Sequence, residues 1–171
     1  MLTIRDASFD DIPAIQSIYA PYVLTTAVSF EREVPTVEEF TRRMTHTLER
    51  FPYLVAEEDG IVLGYCYAGC VNERPSAWPS AELSVYVAQD RRGRGIGRRL
   101  YTAMEERLKA QNVRNLYALV AESTPDNPYL TMDSPNFHRA MGYTEAGRLH
   151  RCGEKFGYWL DLVYWEKIIV K

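Results

Sequence analysis

Apolar positions in this chain recur at two spacings, every second residue and every third to fourth, and the exchange of one for the other marks out strands and helices. "LTIR" near the start has the composition of a short strand. "SFDDIPAIQSIY" follows as a helix, with Ser8 at its N-cap and Ile12, Ile15 and Tyr19 on one face. A second helix opens at "TVEEF", where Thr36 and Glu39 have capping-box spacing and Val37, Phe40, Met44 and Leu48 continue at helical intervals, with Pro35 just outside its start. In "YLVAEEDGIVLGYCYAG", Asp59-Gly60 parts two apolar runs and suits the positive φ angles of a tight primed turn, which predicts an antiparallel hairpin. "AELSVYV" alternates as a further strand, with Glu82, Ser84 and Tyr86 on one face and Leu83, Val85 and Val87 on the other as long as no bulge intervenes.

Next comes "RRGRGIG", with glycine at every second position. Ile96, Leu100, Met104 and Leu108 then predict a helix from about Gly97 to Gln111, and "NLYALVA" reads as a buried strand. "SPNFHRAMGY" is a short helix with Ser134 as N-cap, Pro135 at the first helical position and Gly142 just past the end. "TEAGRL" and "YWLDLVYW" supply two closing strands. The last could be a buried strand or a surface between two copies of the chain, and its alternation favours the core. No repeat, low-complexity tract or linker interrupts the pattern, and 171 residues suit one domain over positions 1–171.

Composition narrows the class. The hydrophobic and charged fractions, 46% and 25%, are those of an ordinary soluble protein, and no run approaches the ~20 apolar residues of a membrane span. "MLTIRDASFDDI" lacks the basic start and apolar run of a signal peptide, so a cytoplasmic location is expected. Cys66, Cys70 and Cys152 are odd in number and without zinc spacing, which predicts reduced thiols, each a small buried hydrophobe. With no HExxH and no paired CxxC, a metal held by Cys66, Cys70 and His46 or His150 is not expected. The formal charge of −3 opposes general attraction to nucleic acid or membrane, yet Arg91, Arg92, Arg94, Arg98 and Arg99 crowd one short segment. A compact polyanion is the ligand that such a local excess suits.

A strand, a glycine-rich loop and a helix in that order aim free backbone N–H groups and the positive helix end at an anion, and missing β-carbons let the anion come close. The nucleoside-triphosphate loop is ruled out because no Lys-Ser or Lys-Thr follows these glycines. The dinucleotide fingerprint has the wrong spacing, and the strands before it form a hairpin, not a βαβ unit. What remains, Arg92-x-x-Gly95-x-Gly97 between a strand and an amphipathic helix, resembles the acyl-CoA pyrophosphate loop of the GCN5-related N-acetyltransferase (GNAT) superfamily. The element order is similar too. The resemblance implies an α/β (α+β) fold, a mixed, mostly antiparallel twisted sheet of six to seven strands flanked by about four helices. It also implies acetyl-CoA as donor, with amides from Arg92, Gly93, Arg94, Gly95, Ile96, Gly97 and Arg98 around the pyrophosphate. Val85, Tyr86 and Val87 then lie along the pantetheine arm, with Val85 and Val87 offering it backbone groups.

Four segments, "IYAPYVLTTAVSFE" with "PTVEEF", "ELSVYV" with its loop, "FHRAMGY" and "GEKFGYWLDLVYW", resemble the phosphinothricin N-acetyltransferase branch over nearly the whole chain. Acetyl transfer needs a neutral amine, and an α-amine of pKa ~8 is already about a tenth neutral at pH 7, whereas a lysine amine must lose over three units. A small α-amine acceptor therefore asks only for a modest base. The resemblance gives that role to Glu82, an ionisable residue in an otherwise apolar strand, and the leaving-thiolate end to His138, where many members of the superfamily have tyrosine. Whether His138 protonates the thiolate or positions it stays open, as does a purely packing role. A backbone N–H near Val87 is the expected polariser of the carbonyl.

Ser134 matches a small cofactor-facing residue of the family, and the family asparagine one turn earlier is matched by Thr131 by spacing or by Asn127 beyond an apparent insertion, "PYLTMD". On the acceptor side stand Phe30 and Arg74, the latter able to pair with a carboxylate or phosphinate. Ala77 and Glu154 replace frequent tyrosines there, so the acceptor is not fixed as phosphinothricin. The resemblance also implies a homodimer. Competing readings are acetylation of protein N-termini or lysines, a non-catalytic acyl-CoA sensor, and a nucleic-acid-binding module. The last is weakest, because the arginines are confined to one loop and helix start.

Overall fold

A computed structural model of the chain describes residues 1–123 and 126–170. Seven strands form one sheet: β1 (Thr3–Asp6), β2 (Tyr53–Glu58), β3 (Ile61–Gly69), β4 (Ser80–Val87), β5 (Asn115–Glu122), β6 (Thr144–Lys155) and β7 (Tyr158–Ile168). Four helices accompany it: α1 (Ile12–Leu24), α2 (Val37–Leu48), α3 (Ile96–Ala110) and α4 (Asp133–Ala140). The strand order is β1-β2-β3-β4-β5-β7-β6, antiparallel throughout except for the β4–β5 pair. This is the mixed, mostly antiparallel α/β sheet expected from the sequence.

Alternation along the strands divides the interior in two. Leu54 and Ala56 of β2, Cys66 and Ala68 of β3 and Leu83 of β4 pack against Ile96, Leu100, Met104 and Leu108 of α3. Tyr53, Val55 and Tyr65, on the other face, pack against Ile12, Ile15 and Tyr19 of α1 and Phe40 and Met44 of α2. The β2–β3 turn has φ of 52° at Asp59 and 79° at Gly60, as its sequence predicts. β3 and β4 pair without a register shift from Gly64–Val87 to Gly69–Glu82, so the predicted alternation of β4 holds. Val85 and Val87 lie against the α3-side core, while Tyr86 lies against the α1 side.

Several boundaries differ from those the sequence predicts. Ser8 caps a turn of 3-10 helix at Phe9–Asp11, its N–H donating to Asp11 Oδ2 at 2.7 Å, and the α-helix starts only at Ile12. In α2, Thr36 Oγ1 accepts from Glu39 N–H at 3.2 Å, but the Glu39 carboxylate turns to Arg42 and Arg43, and Val37 and Leu48 are exposed. Helix α4 begins at Asp133, because Met132 C=O already accepts from Asn136 N–H at 2.9 Å; Ser134 thus sits inside the first turn and is not the N-cap. All three cysteines are free thiols, but Cys70 is only partly buried and Cys152 is exposed, since β6 is an edge strand. In β7, Val163 and Trp165 enter the core, whereas Leu162 and Tyr164 on the opposite face are half-buried.

Candidate functional site

The β4–β5 pairing spans only Ser80–Glu82 against Asn115–Tyr117. Beyond it β4 stays with β3 and β5 stays with β7, so the sheet opens between its two middle strands. A cleft of about 610 Å³ fills the opening. Its walls are Leu83 to Val87 of β4 and Ala118 to Ala121 of β5, and the glycine loop, the start of α3 and α4 complete the lining.

Backbone groups line the β4 wall. Ala88 N–H donates to Leu63 C=O of β3, whereas Val87 C=O turns the other way and accepts from the Tyr22 hydroxyl. Alternation then directs the peptide groups of Val85 and Val87 into the opening, where β5 no longer pairs with them. An extended arm with amide groups can take the place of a missing strand here.

At the loop, Gly93 and Gly95 have φ of 76° and 77°, the left-handed region that costs any residue with a β-carbon. Gly95 is the N-cap of α3, and the first helical bond is Arg99 N–H to Gly95 C=O at 3.1 Å, which leaves the N–H groups of Ile96, Gly97 and Arg98 without a partner in the helix. Gly97 is different: it needs no unusual φ, and a β-carbon there would lie 3.4 Å from Phe137 Cε2. Two glycines shape the loop, and at the third a β-carbon would reach only ordinary contact with α4. The walls carry Arg91, Arg92 and Arg98, while Arg94 turns away to Glu58 at 3.0 Å and Arg99 donates to Leu2 C=O at 2.8 Å. Arg92 also stands 3.3 Å from Asp133. Free N–H groups, a helix N-terminus and three arginines fit a pyrophosphate and its neighbouring phosphate groups.

Glu82 stands on the last β4 residue that still pairs with β5, at the vertex of the opening and one residue outside its lining. Burial raises its carboxyl above the usual range. His138, 4% exposed, is in the α4 wall. Its Nδ1 lies 2.8 Å from Ser134 C=O and its Nε2 2.9 Å from the Tyr101 hydroxyl, and burial lowers its pKa although the Ser134 contact opposes this. Ser134 lines the cleft, and so does Thr131. Asn127 does not: it is buried, and its Oδ1 accepts from Tyr129 N–H at 2.8 Å.

Phe30 and Arg74 do not line this cleft. The Phe30 ring, 41% exposed, rests on Gly153 of β6, and its segment is tied down by buried Lys155, whose Nζ donates to Val23 C=O at 2.7 Å and Ser29 C=O at 2.8 Å. Arg74 lies in the exposed β3–β4 connection, where its N–H donates to the side chain of Asn72. Glu154 pairs with Arg32 at 2.9 Å and accepts from Gly157 N–H at 2.8 Å, so it closes the β6–β7 turn. Tyr22 and Tyr101 are not found by sequence reasoning. Tyr22 lies past Tyr19, where the predicted first helix ends although α1 continues to Leu24, Tyr101 is off the predicted Ile96, Leu100, Met104 and Leu108 face of α3, and nothing local marks either hydroxyl. Among the described residues no cluster has metal-binding composition, and no helix is long and apolar enough to cross a membrane.

Residues 4–164 match the family model of the acetyltransferase (GNAT) domain. The chain belongs to the GNAT acetyltransferase family. Within it the chain is 39% identical over 166 residues to a phosphinothricin N-acetyltransferase of Alcaligenes faecalis, covering 96% of this chain and 81% of that one. It is 36% identical over 164 residues to the L-methionine sulfoximine/L-methionine sulfone acetyltransferase of Pseudomonas aeruginosa, covering 95% and 91%. A GNAT-superfamily phosphinothricin acetyltransferase from Sinorhizobium meliloti, solved in complex with AcCoA, superposes with a TM-score of 0.90 at 29% identity, over 99% of this chain and 89% of that one. These relatives set this GNAT protein in the phosphinothricin N-acetyltransferase-like branch.

Proposed function

We propose that this GNAT protein is an acetyl-CoA-dependent N-acetyltransferase that acts on the amine of a small amino acid or analogue, of the phosphinothricin or methionine sulfoximine type, by direct attack in a ternary complex. The observation that carries the reading is the open β4–β5 cleft, which leads from a row of free amides at Ile96–Arg98 to a carboxylate of raised pKa at its vertex. Acetyl-CoA supplies the thioester. Arg92, Arg98 and the loop amides hold its phosphates, the peptide groups of Val85 and Val87 hold its extended arm, and the Val87 N–H is aimed into the opening as a donor to the carbonyl oxygen. Glu82, directly or through water, takes a proton from the acceptor's ammonium group, whose pKa near ~8 leaves it only a little to overcome, and the neutral amine then attacks the thioester carbonyl as the CoA thiolate leaves. His138 stands at the leaving-group end, and Ser134 beside it lines the donor channel.

Phe30 and Arg74 serve the acceptor. Arg74 lies outside the donor cleft and meets the acceptor's anionic group from the β3–β4 connection. The half-buried Leu162 and Tyr164 face of β7 supports a homodimer with acceptor sites near the interface, and the whole span acts as one domain in the cytoplasm. The test is thiol release from acetyl-CoA across a panel of amino acids, phosphinothricin, methionine sulfoximine and peptides. Turnover confined to small α-amines is expected. Tight acetyl-CoA binding with no turnover on any amine would instead identify an acyl-CoA sensor, and robust peptide turnover a protein acetyltransferase.

A further inference from the structure

His138 is gripped at both ring nitrogens. Nδ1 is 2.8 Å from the carbonyl oxygen of Ser134, one turn earlier in α4, and Ser134 Oγ is a longer 3.5 Å away. A carbonyl can only accept, so Nδ1 carries a hydrogen. In a neutral ring Nε2 is then bare, and the group facing it at 2.9 Å is the hydroxyl of Tyr101, from the second turn of α3. Neither group has freedom to turn aside. Tyr101 is fully buried, with its ring edge-on to Phe137 at 5.0 Å and to His138 at 5.5 Å and tilted against Tyr143 at 5.8 Å. Trp165 stacks beyond the imidazole at 6.5 Å. Across this cluster the carboxylate of Glu105 is occupied by Tyr143 at 3.2 Å and Lys167 at 2.7 Å. It is not free to serve the imidazole as a counter-ion.

We infer that Tyr101 is a positioning residue for His138: its hydroxyl, with the Ser134 carbonyl, locks the imidazole as the Nδ1–H tautomer, so that the resting ring presents a fixed acceptor at Nε2 and has no hydrogen there to give. The inference deepens the proposed function, on which the role of His138 rests. It excludes direct proton delivery from resting His138 Nε2 to the sulfur and leaves the ring to fix the geometry of this wall. A thiol of pKa ~8.5 leaves tolerably well without a proton from this ring.

The tautomer can be read in the wild-type protein. The chain has three histidines, so 15N correlation spectra of the labelled protein at neutral pH, with His138→Gln identifying the signal, report which nitrogen is protonated. The expected pattern is protonated Nδ1 and bare Nε2; a hydrogen on Nε2 overturns the proposal. Tyr101→Phe keeps the ring packing and removes the hydroxyl. Its His138 signals are expected to shift or to show both tautomers, and kcat to fall about tenfold, below the ~10²–10⁴-fold range of general acid–base catalysis, with KM for acetyl-CoA unchanged. A Tyr101→Phe protein with wild-type spectrum and wild-type kcat also overturns it. Unchanged turnover in His138→Gln would remove His138 from the reaction while the wild-type spectrum still decides the lock.

Discussion

Alanine at Gly95 should lower stability, whereas alanine at Gly97, two residues on, should not. Gly95 has φ of 77°, and a β-carbon added there would have nothing within 4 Å, so Gly95→Ala meets no clash and its whole cost is backbone. The left-handed conformation costs an L-residue about 1–2 kcal/mol, offset by roughly 0.4–1 kcal/mol from the stiffer unfolded chain. The net loss, on the order of 1 kcal/mol, lowers Tm by about 2–4 °C in a chain of this size. Gly97 has an ordinary φ in the first turn of α3, and a β-carbon there is in plain contact with Phe137 Cε2 at 3.4 Å. Gly97→Ala therefore keeps most of the ~0.8–1 kcal/mol by which alanine exceeds glycine in a helix, and Tm rises or holds. Affinity for CoA, measured by calorimetry, should separate from stability: Gly95→Ala disturbs the N-cap that presents the free amides and weakens binding, while Gly97→Ala changes it mainly where Phe137 meets the cleft. Equal thermal losses in the two variants, or unchanged CoA affinity in Gly95→Ala, would refute the assignment of separate roles to these glycines.

Glu82→Gln should lower kcat and flatten the acid limb of its pH profile while leaving acetyl-CoA binding nearly intact, because the raised carboxyl must be ionised to accept the amine proton. The same substitution should raise Tm at pH 7: a carboxyl whose folded pKa lies above its unfolded value contributes stability at low pH and loses it as pH rises through the folded pKa, so the gain in melts disappears below pH ~4.5. Gly153→Ala would put a β-carbon 2.8 Å from Phe30 Cε2 and should change the acceptor KM, with acetyl-CoA KM as the unaffected control. Lys155→Met leaves two carbonyls, Val23 and Ser29, without their donor and should cost about 1–3 kcal/mol in denaturant titrations. No loss of stability there would mean that this lysine does not anchor the Phe30 segment.

Periodicity, with the Asp59-Gly60 turn, the cap residues and the apolar composition of "NLYALVA", laid out the seven strands and four helices, because an element that buries one face repeats with the period of that face. The loop after β4 was legible for the same local reason: a glycine pattern between a strand and a helix has few physical uses, and the N-cap of α3 at Gly95 is one of them. Ends of elements were less legible, as Ser134 shows, since the competing donor to Met132 C=O is a backbone group that every residue but proline carries. Cys152 has the sequence character of a small buried hydrophobe, and only the strand order, with β6 at the edge, exposes it.

The site itself divides in the same way. Residue types and spacing by themselves determined that a compact anion suits Arg92–Arg98 and that an ionisable Glu82 interrupts an apolar strand, because both features are contained within one stretch of chain. Only the tertiary structure decided that β4 and β5 part company after Glu82, that Arg94 faces Glu58 and not the cleft, and that Tyr101 closes on His138. Those depend on which strands become neighbours and on contacts between residues dozens of positions apart, and hydroxyls such as those of Tyr22 and Tyr101 acquire their meaning only from the partner that packing brings within reach.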